Sequence, residues 1–329
     1  MTPTFLVTGG SGFIGTWVVR RLLEQRFGVV VYDLHDGGER WRQLLGASAE
    51  QVTLIRGDLL DGAKLAAAFD THAVTHVIHL GAWLTPACQE NPYRGCEINV
   101  LGTMRVFEAV RAWRERIKGF AYASSIAVYG SELDDPPAGA TRNPALEPET
   151  FYGVFKRTTE MLAGQYWRHF GIASVGLRPY VVYGPGRESG LSAGPTLAAR
   201  AVARGESFRF GFSGAAGFEF VADTARALVR AALEPPNGAV VADLSGEQAT
   251  VEEIIRLLDR LRPGAAARLA VAGEPLPCLI APGSLVIRDL FPDWQTTSLT
   301  EGLRRTVEFY ENVAQLAQAR PNEKPRAAS

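Results

Sequence analysis

Cysteine is scarce in this chain. Only Cys88, Cys96 and Cys278 occur in 329 residues, with no CxxC pair and no even framework. That excludes a disulfide-stapled fold and fits free thiols in a reducing compartment. Net charge is almost absent too. With 34 Lys and Arg against 35 Asp and Glu the formal charge is −1, so no global field draws the chain to nucleic acid or an anionic membrane. No basic–aromatic patch adds to either partner. No run approaches the ~20 apolar residues that a bilayer-spanning helix needs. The opening MTPTFLVTGG enters a strand without a basic stretch and cleavage site, so a soluble, cytoplasmic protein is expected. Metal-ligand spacing is missing as well. His72 and His76 stand four apart, but a strand is expected to begin between them, and His76 and His79 alternate across its faces. No GxSxG turn marks a hydrolase.

What is present is an even globular composition, 47 % apolar and 21 % charged, with alternating short apolar runs and helical periodicity. Strands are expected at Phe5–Thr8, Val29–Tyr32, Val52–Ile55, His76–Leu80, Phe120–Ala123 and Ala173–Leu177. Helices are expected at Phe13–Arg26, from about Asn99, and across FYGVFKRTTE. Apolar strands separated by helices imply crossover connections and a parallel sheet covered on both faces. The expected fold class is α/β, a doubly wound Rossmann-type sheet. Beyond Pro185 the alternation loosens into the Gly/Pro-rich loop GPGRESGLSAGP. Helices follow at Thr196–Arg204, Asp223–Glu234 and Leu299–Gln318, and Thr250-Val-Glu-Glu253 has the form of a capping box. The expected division is a nucleotide-binding domain at 1–180, a smaller α/β substrate-binding region at 181–318, and a disordered tail at 319–329. Part of 218–245 is expected to return to the main sheet.

The first motif with chemistry is T8-GGSGFIG-15. Gly9, Gly12 and Gly15 are spaced GxxGxxG between a strand and a helix, with Phe13 and Ile14 opening that helix. Such glycines permit a tight turn and close backbone approach to a pyrophosphate, which the helix N-terminus attracts. A lone glycine turn is weak evidence. Here the second strand ends at Asp33, near the expected ~20-residue spacing, where a carboxylate can accept from both ribose hydroxyls and repel a 2′-phosphate. NAD is therefore favoured over NADP, although His35 and Arg40 stand near that place. Asp58 and Leu59 close the third strand, where an acid can accept from an adenine amino group. Leu80, Gly81 and Ala82 follow the fourth, where small residues let a cofactor lie on the backbone. All fall at the carboxyl edge, where open α/β sheets bind ligands.

The fifth strand ends in Ser124 and Ser125, and Tyr152 and Lys156 stand four apart on the helix that follows. On spacing alone this pair reads as a core aromatic beside a solvated lysine. Positions i and i+4 share a face, about 6 Å apart at Cβ. A free tyrosine has a pKa near 10, and a nearby ammonium, helped by a cationic nicotinamide ring, favours phenolate. The pair can then take a proton from a substrate hydroxyl, with Ser125 holding the substrate oxygen.

TGGSGFIG, GDLLD, HLGA, INVLGT, ASSIAVYG, YGVFK and LRPYVVYGPG occur together in this order. The set resembles the extended short-chain dehydrogenases/reductases, and within them the NAD-dependent epimerase/dehydratase group, over residues 4 to about 311. The resemblance implies Tyr152 as catalytic acid/base, Lys156 as its partner and ribose anchor, and Ser125 as the substrate-positioning hydroxyl. It implies that Asn99 supports the sheet and active site, and that Pro179 touches the nicotinamide side. It also implies a homodimer, joined through the helices near Asn99–Trp113 and Phe151–Phe170.

Two departures bear on substrate. Members that act on nucleotide sugars typically carry an asparagine where this chain has Val181, and an arginine where it has Ala216-Gly217. An Arg–phosphate pair is a strong contact, so these losses argue against a nucleoside-diphosphate sugar. Arg187 could supply a charge for a carboxylate or smaller anion, and Trp83 and Thr85 could wall the pocket. The leading expectation is an NAD-dependent dehydrogenase acting on a secondary alcohol of a small sugar, sugar acid, lactone or polyol. The alternative is a sugar or nucleotide-sugar epimerase or dehydratase that keeps its NAD, and a third is a non-catalytic NAD-binding sensor.

Overall fold

The computed structural model describes residues 2–130, 146–244, 246–276 and 285–319. Cys278 lies outside them. So does the expected tail beyond Ala319, where the last helix ends.

Six strands and seven helices alternate first. The strands are β1 (Thr4–Thr8), β2 (Gly28–Asp33), β3 (Thr53–Arg56), β4 (His76–His79), β5 (Gly119–Ala123) and β6 (Ser174–Arg178). The helices are α1 (Phe13–Glu24), α2 (Gly38–Leu44), α3 (Gly62–Thr71), α4 (Thr85–Glu90), α5 (Pro92–Cys96), α6 (Thr103–Ala112) and α7 (Phe151–Phe170). The remaining strands are β7 (Val181–Tyr183), β8 (Phe208–Phe210), β9 (Ala215–Phe220), β10 (Ala239–Asp243), β11 (Glu247–Thr250) and β12 (Leu269–Val271). Among them run α8 (Gly194–Arg204), α9 (Val221–Leu233), α10 (Val251–Leu261), α11 (Ile287–Leu290) and α12 (Leu299–Ala319).

The main sheet has seven strands in the order β10-β6-β5-β4-β1-β2-β3, and its pairings are parallel. The order reverses between β1 and β4, the place where doubly wound sheets open a crevice. Its central strands are buried on both faces, which is why they read as unbroken Val/Ile/Phe runs. One face carries α1, α9 and α11, with Val18, Leu22, Leu228 and Phe291 packed on Val7, Val31 and Val175. The other carries α3, α6 and α7, with Phe69, Phe107 and Tyr166 packed on Leu6, Val77 and Phe120. Phe107 is central there: its ring stacks on Tyr166 at 4.7 Å and meets Phe120 edge-on at 4.8 Å. A further sheet runs β11-β9-β7.

The chain separates into two compact units. The first comprises Met1–Val182, Ala216–Gln248 and Pro277–Thr296, and so contains the main sheet. The second comprises Tyr183–Ala215, Ala249–Leu276 and Thr297–Ser329. Within the second unit β8 pairs parallel with β12. There Arg262 also grips Glu311 with two bonds of 2.7 and 2.6 Å.

Local chemistry explains the boundaries. Thr250 and Glu253 form the reciprocal capping box that starts α10. Thr150 caps α7 by accepting from Gly153 N, and Gly171 ends it in the left-handed region at φ 67°. The helix expected from Asn99 differs: Asn99 lies inside Glu97–Gly102, a π-type turn joining α5 to α6. A π-turn shifts the register of the side chains after it, and such bulges recur at functional sites.

Candidate active site

At the end of β1 the chain turns on glycine. Gly9 has φ +70°, and a Cβ there would stand 2.7 Å from Gly81 N. A Cβ on Gly15 would stand 2.1 Å from Gly9 O, so α1 can start this close to the turn only without one. Gly12, the residue before α1, is extended, and no side chain caps the helix. A helix N-terminus with no side-chain cap is suited to an anion. Asp33, at the end of β2, accepts from Ser11 N (3.0 Å) and from His35 N (3.2 Å). Each carboxylate oxygen keeps a second lone pair for a ribose hydroxyl. Arg40 donates to Ser11 O at 2.8 Å, which fastens the guanidinium to the turn. Glycine turn, helix N-terminus and strand-end carboxylate together fit a dinucleotide.

Asp58 and Leu59 divide their work. Asp58 accepts from Leu60 N at 2.9 Å and pairs with Arg94 at 3.2 Å. Leu59 is buried beneath Gly81 and Gly102. After β4, Thr8 Oγ1 accepts from Leu80 N and Gly81 N at 3.2 and 3.3 Å. His79 bridges Thr8 and Thr103 at 2.6 and 2.9 Å, and burial, aided by Lys156, pushes its pKa down to about 3. It is a neutral strut. The Asn99 amide grips Trp83, accepting from Trp83 N (2.7 Å) and donating to Trp83 O (3.0 Å), and its Nδ2 also donates to the Cys88 thiol. It shapes the loop Leu80–Trp83, with Ala82 inside that loop and Thr85 opening α4 just after it.

The acid/base candidates converge at the ends of β5 and β6. Tyr152 and Lys156 lie one turn apart on α7, with Nζ 5.6 Å from the phenol ring centre. The Ser125 hydroxyl stands near enough to the Tyr152 phenol to act on its titration. Ser125 Oγ also accepts from Ala127 N at 3.1 Å. Lys156 is buried and donates to Ala123 O at 2.7 Å. Burial pushes its ammonium down to about 8, against the pull of Cys88 and Glu160. Burial also pushes the Tyr152 phenol up to about 12, with Ser125 opposing. The lowering expected from Lys156 does not appear: desolvation sets the direction, Cys88 adds to it, and Ser125 alone opposes. Pro179 O accepts from Ile126 N at 3.3 Å, tying the end of β6 to the Ser125 loop. Val181 lies buried on β7. Arg187 belongs to the second unit, where it donates to Ser192 Oγ at 2.9 Å and burial lowers it to about 10.

Several residues escaped sequence reasoning. Ser124, next to Ser125, is committed to Glu160 at 2.6 Å. Glu160 in turn holds Arg178 through Nε (2.7 Å) and Nη2 (2.8 Å). Arg178 reaches Tyr129 and, at 3.4 Å, Asp243, whose carboxylate accepts from Tyr129 Oη at 3.0 Å. Glu160 stands eight residues after Tyr152 on the same helix stripe, the one signal that could have found it. The buried Cys88 thiol sits between Asn99 Nδ2 (3.3 Å) and Trp83 O (3.5 Å). Among the described residues no cluster of His, Cys, Asp and Glu could hold a metal ion.

A model of the NAD dependent epimerase/dehydratase family matches residues 5–243. The chain belongs to that family. NAD is accordingly the cofactor of this enzyme. Its relatives include UDP-glucuronate 4-epimerase 6 of Arabidopsis thaliana, 32% identical over 186 residues, covering 55% of this chain and 40% of that protein. The match thus spans less than half of that relative's length. A solved structure of UDP-glucose 4-epimerase from Thermus thermophilus, in complex with NAD, superposes with a TM-score of 0.75 at 26% identity. It covers 93% of this chain and 98% of that one. A monomeric L-threonine 3-dehydrogenase from a metagenome shares the fold, with a TM-score of 0.80 at 19% identity over 94% of this chain and 99% of that one.

Proposed function

We propose that this family member is an NAD-dependent sugar epimerase or dehydratase that keeps its cofactor through each turnover, with a nucleotide-linked sugar as substrate. The observation that carries the reading is the buried Lys156 one turn from Tyr152, its Nζ 5.6 Å from the phenol ring centre and Ser125 beside them, at the carboxyl edge of a sheet whose β1 turn suits a pyrophosphate. The 4-epimerases among the relatives support it over simple oxidation. NAD, when bound, supplies reversible hydride exchange at the substrate carbon. Ser125 holds the reacting hydroxyl, and Tyr152 accepts its proton and later returns it. Lys156, protonated below about pH 8, favours the phenolate and anchors the nicotinamide ribose. Gly9, Gly12 and Gly15 with the α1 N-terminus hold the pyrophosphate, Asp33 the adenine-side ribose, and Asp58 the adenine. Residues 1–180 carry these contacts.

A second reading keeps specific support. Val181 and Ala216 are apolar and 4% and 1% exposed, where an asparagine and an arginine would serve a nucleotide sugar. They favour a dehydrogenase for a smaller, nucleotide-free alcohol. The protein is incubated with UDP-glucose, UDP-glucuronate, free uronates, lactones and polyols while NADH absorbance and product isomers are followed. Isomerised or dehydrated nucleotide sugar without net NADH is the expected result. Stoichiometric NADH from a free alcohol replaces the first reading with the second. Turnover unchanged in Tyr152→Phe overturns both.

We further propose a cytoplasmic homodimer. Phe151, Val154 and Met161 expose a stripe of α7 at 46, 43 and 59%, as apolar residues bound for a subunit contact would.

A further inference from the structure

One buried carboxyl takes no part in the chemistry above. Glu219 is 6% exposed and sits on β9. Its Oε1 accepts from Tyr180 N at 3.0 Å, and its Oε2 accepts from Thr224 Oγ1 at 3.2 Å. Tyr180 is the residue after Pro179, and Pro179 O accepts from Ile126 N at 3.3 Å. Ile126 directly follows Ser125. The contact is also fitted through packing. A Cβ on Gly217 would stand 2.7 Å from the Tyr180 ring, and that ring packs with Ile126, Val128 and Tyr129. Hydrogen bonds and side-chain packing thus run independently from β9 to the Ser125 loop.

We propose that Glu219 is a positioning residue for the acid/base site, fixing the Pro179–Tyr180 backbone and through it the place of the Ser125 hydroxyl against Tyr152. This rests on the acid/base reading of Ser125 and Tyr152. Burial pushes the Glu219 carboxyl up to about 8. Asp243 on β10 and Asp223 on α9 push the same way, while the Tyr180 amide and Thr224 hydroxyl oppose. Below that pH the clamp is a neutral acid. Above it a carboxylate forms in an apolar site that already holds the Asp243 charge, itself met by Tyr129 and Arg178. A buried charge without a compensating cation draws in water or moves its surroundings. The clamp loosens, and Ser125 shifts with it.

The experiment compares Glu219→Gln, which keeps shape and acceptor but cannot ionise, with Glu219→Leu, which removes the clamp. Amide resonances of Tyr180 and Ile126 are followed by NMR in the full chain across pH 8. The wild type is expected to show one shared inflection, absent in the Gln variant. Turnover is measured beside Tyr152→Phe on the substrate panel above. Glu219→Leu should lower kcat on the order of tenfold with little change in KM, since small misplacements of reacting groups are costly, and Glu219→Gln should retain it. An inflection at Tyr180 without one at Ile126 overturns the proposal. So does wild-type kcat in Glu219→Leu while Tyr152→Phe is inactive. Full activity in Tyr152→Phe instead removes the acid/base reading on which the proposal stands. If the Leu variant does not fold, the NMR comparison of wild type with Gln decides.

Discussion

The two candidate functional edges of the main sheet are built by opposite means. At β1 the turn is shaped by missing side chains: Gly9 and Gly15 admit backbone where any Cβ would collide. At β5 and β6 the edge is shaped by charge, through Ser124, Glu160, Arg178, Tyr129 and Asp243 bound to one another out of water. A backbone device tolerates no added atom, while a charge network tolerates no missing partner. The first therefore fails sterically and the second electrostatically.

That contrast can be broken by mutation, and the largest effect is expected on chemistry alone. Tyr152→Phe should lower turnover roughly 10²–10⁴-fold, the usual worth of a positioned acid/base, with NAD binding by fluorescence titration nearly unchanged. Glu160→Leu takes two hydrogen bonds from buried Arg178, leaving it Tyr129 and Asp243, and should cost up to about 3–5 kcal/mol in denaturant unfolding. Gly9→Ala must strain a φ of +70° and push Gly81 aside. It should abolish measurable NAD binding while costing stability only about 1–3 kcal/mol. A fold that loses stability but binds NAD normally would contradict the assignment of the turn.

The smaller effects sharpen the comparison. Glu219 has a folded pKa raised from 4.5 to about 8, so the folded state holds its proton more tightly than the unfolded chain does. Its contribution to stability is complete below pH 4.5 and is lost as pH rises to about 8. Glu219→Gln should therefore match the wild type near pH 5 and melt higher at alkaline pH, read from thermal unfolding at both. A wild-type melting temperature that does not fall between those pH values counts against a protonated Glu219. Thr250→Ala, at the α10 capping box of the second unit, should cost about 1 kcal/mol and leave NAD binding untouched.

The same contrast explains what was legible beforehand. Glycine spacing, strand periodicity and the Tyr152/Lys156 interval are local patterns, and local geometry follows from them directly. Six of the seven strands of the main sheet, the α10 capping box and the NAD cofactor could be anticipated from such patterns and from the family resemblance. Glu160 could not, because its partners Ser124 and Arg178 are 36 and 18 residues away. Asn99 was expected to support the active site, but its bond to Trp83 depends on a π-type turn that nothing in INVLGT announces.

By itself the sequence determined the doubly wound sheet, the glycine turn after β1 and the spacing of the tyrosine–lysine pair. Each is encoded in residues a few positions apart, where steric and periodic rules act without knowledge of the rest of the chain. Only the tertiary structure decided which of two adjacent serines is committed to Glu160. It also set the Tyr152 phenol at about 12 and the Lys156 ammonium at about 8, and brought a carboxyl from β9 to the Tyr180 amide. Those outcomes depend on desolvation and on long-range pairing, and neither exists until the sheet has closed over them.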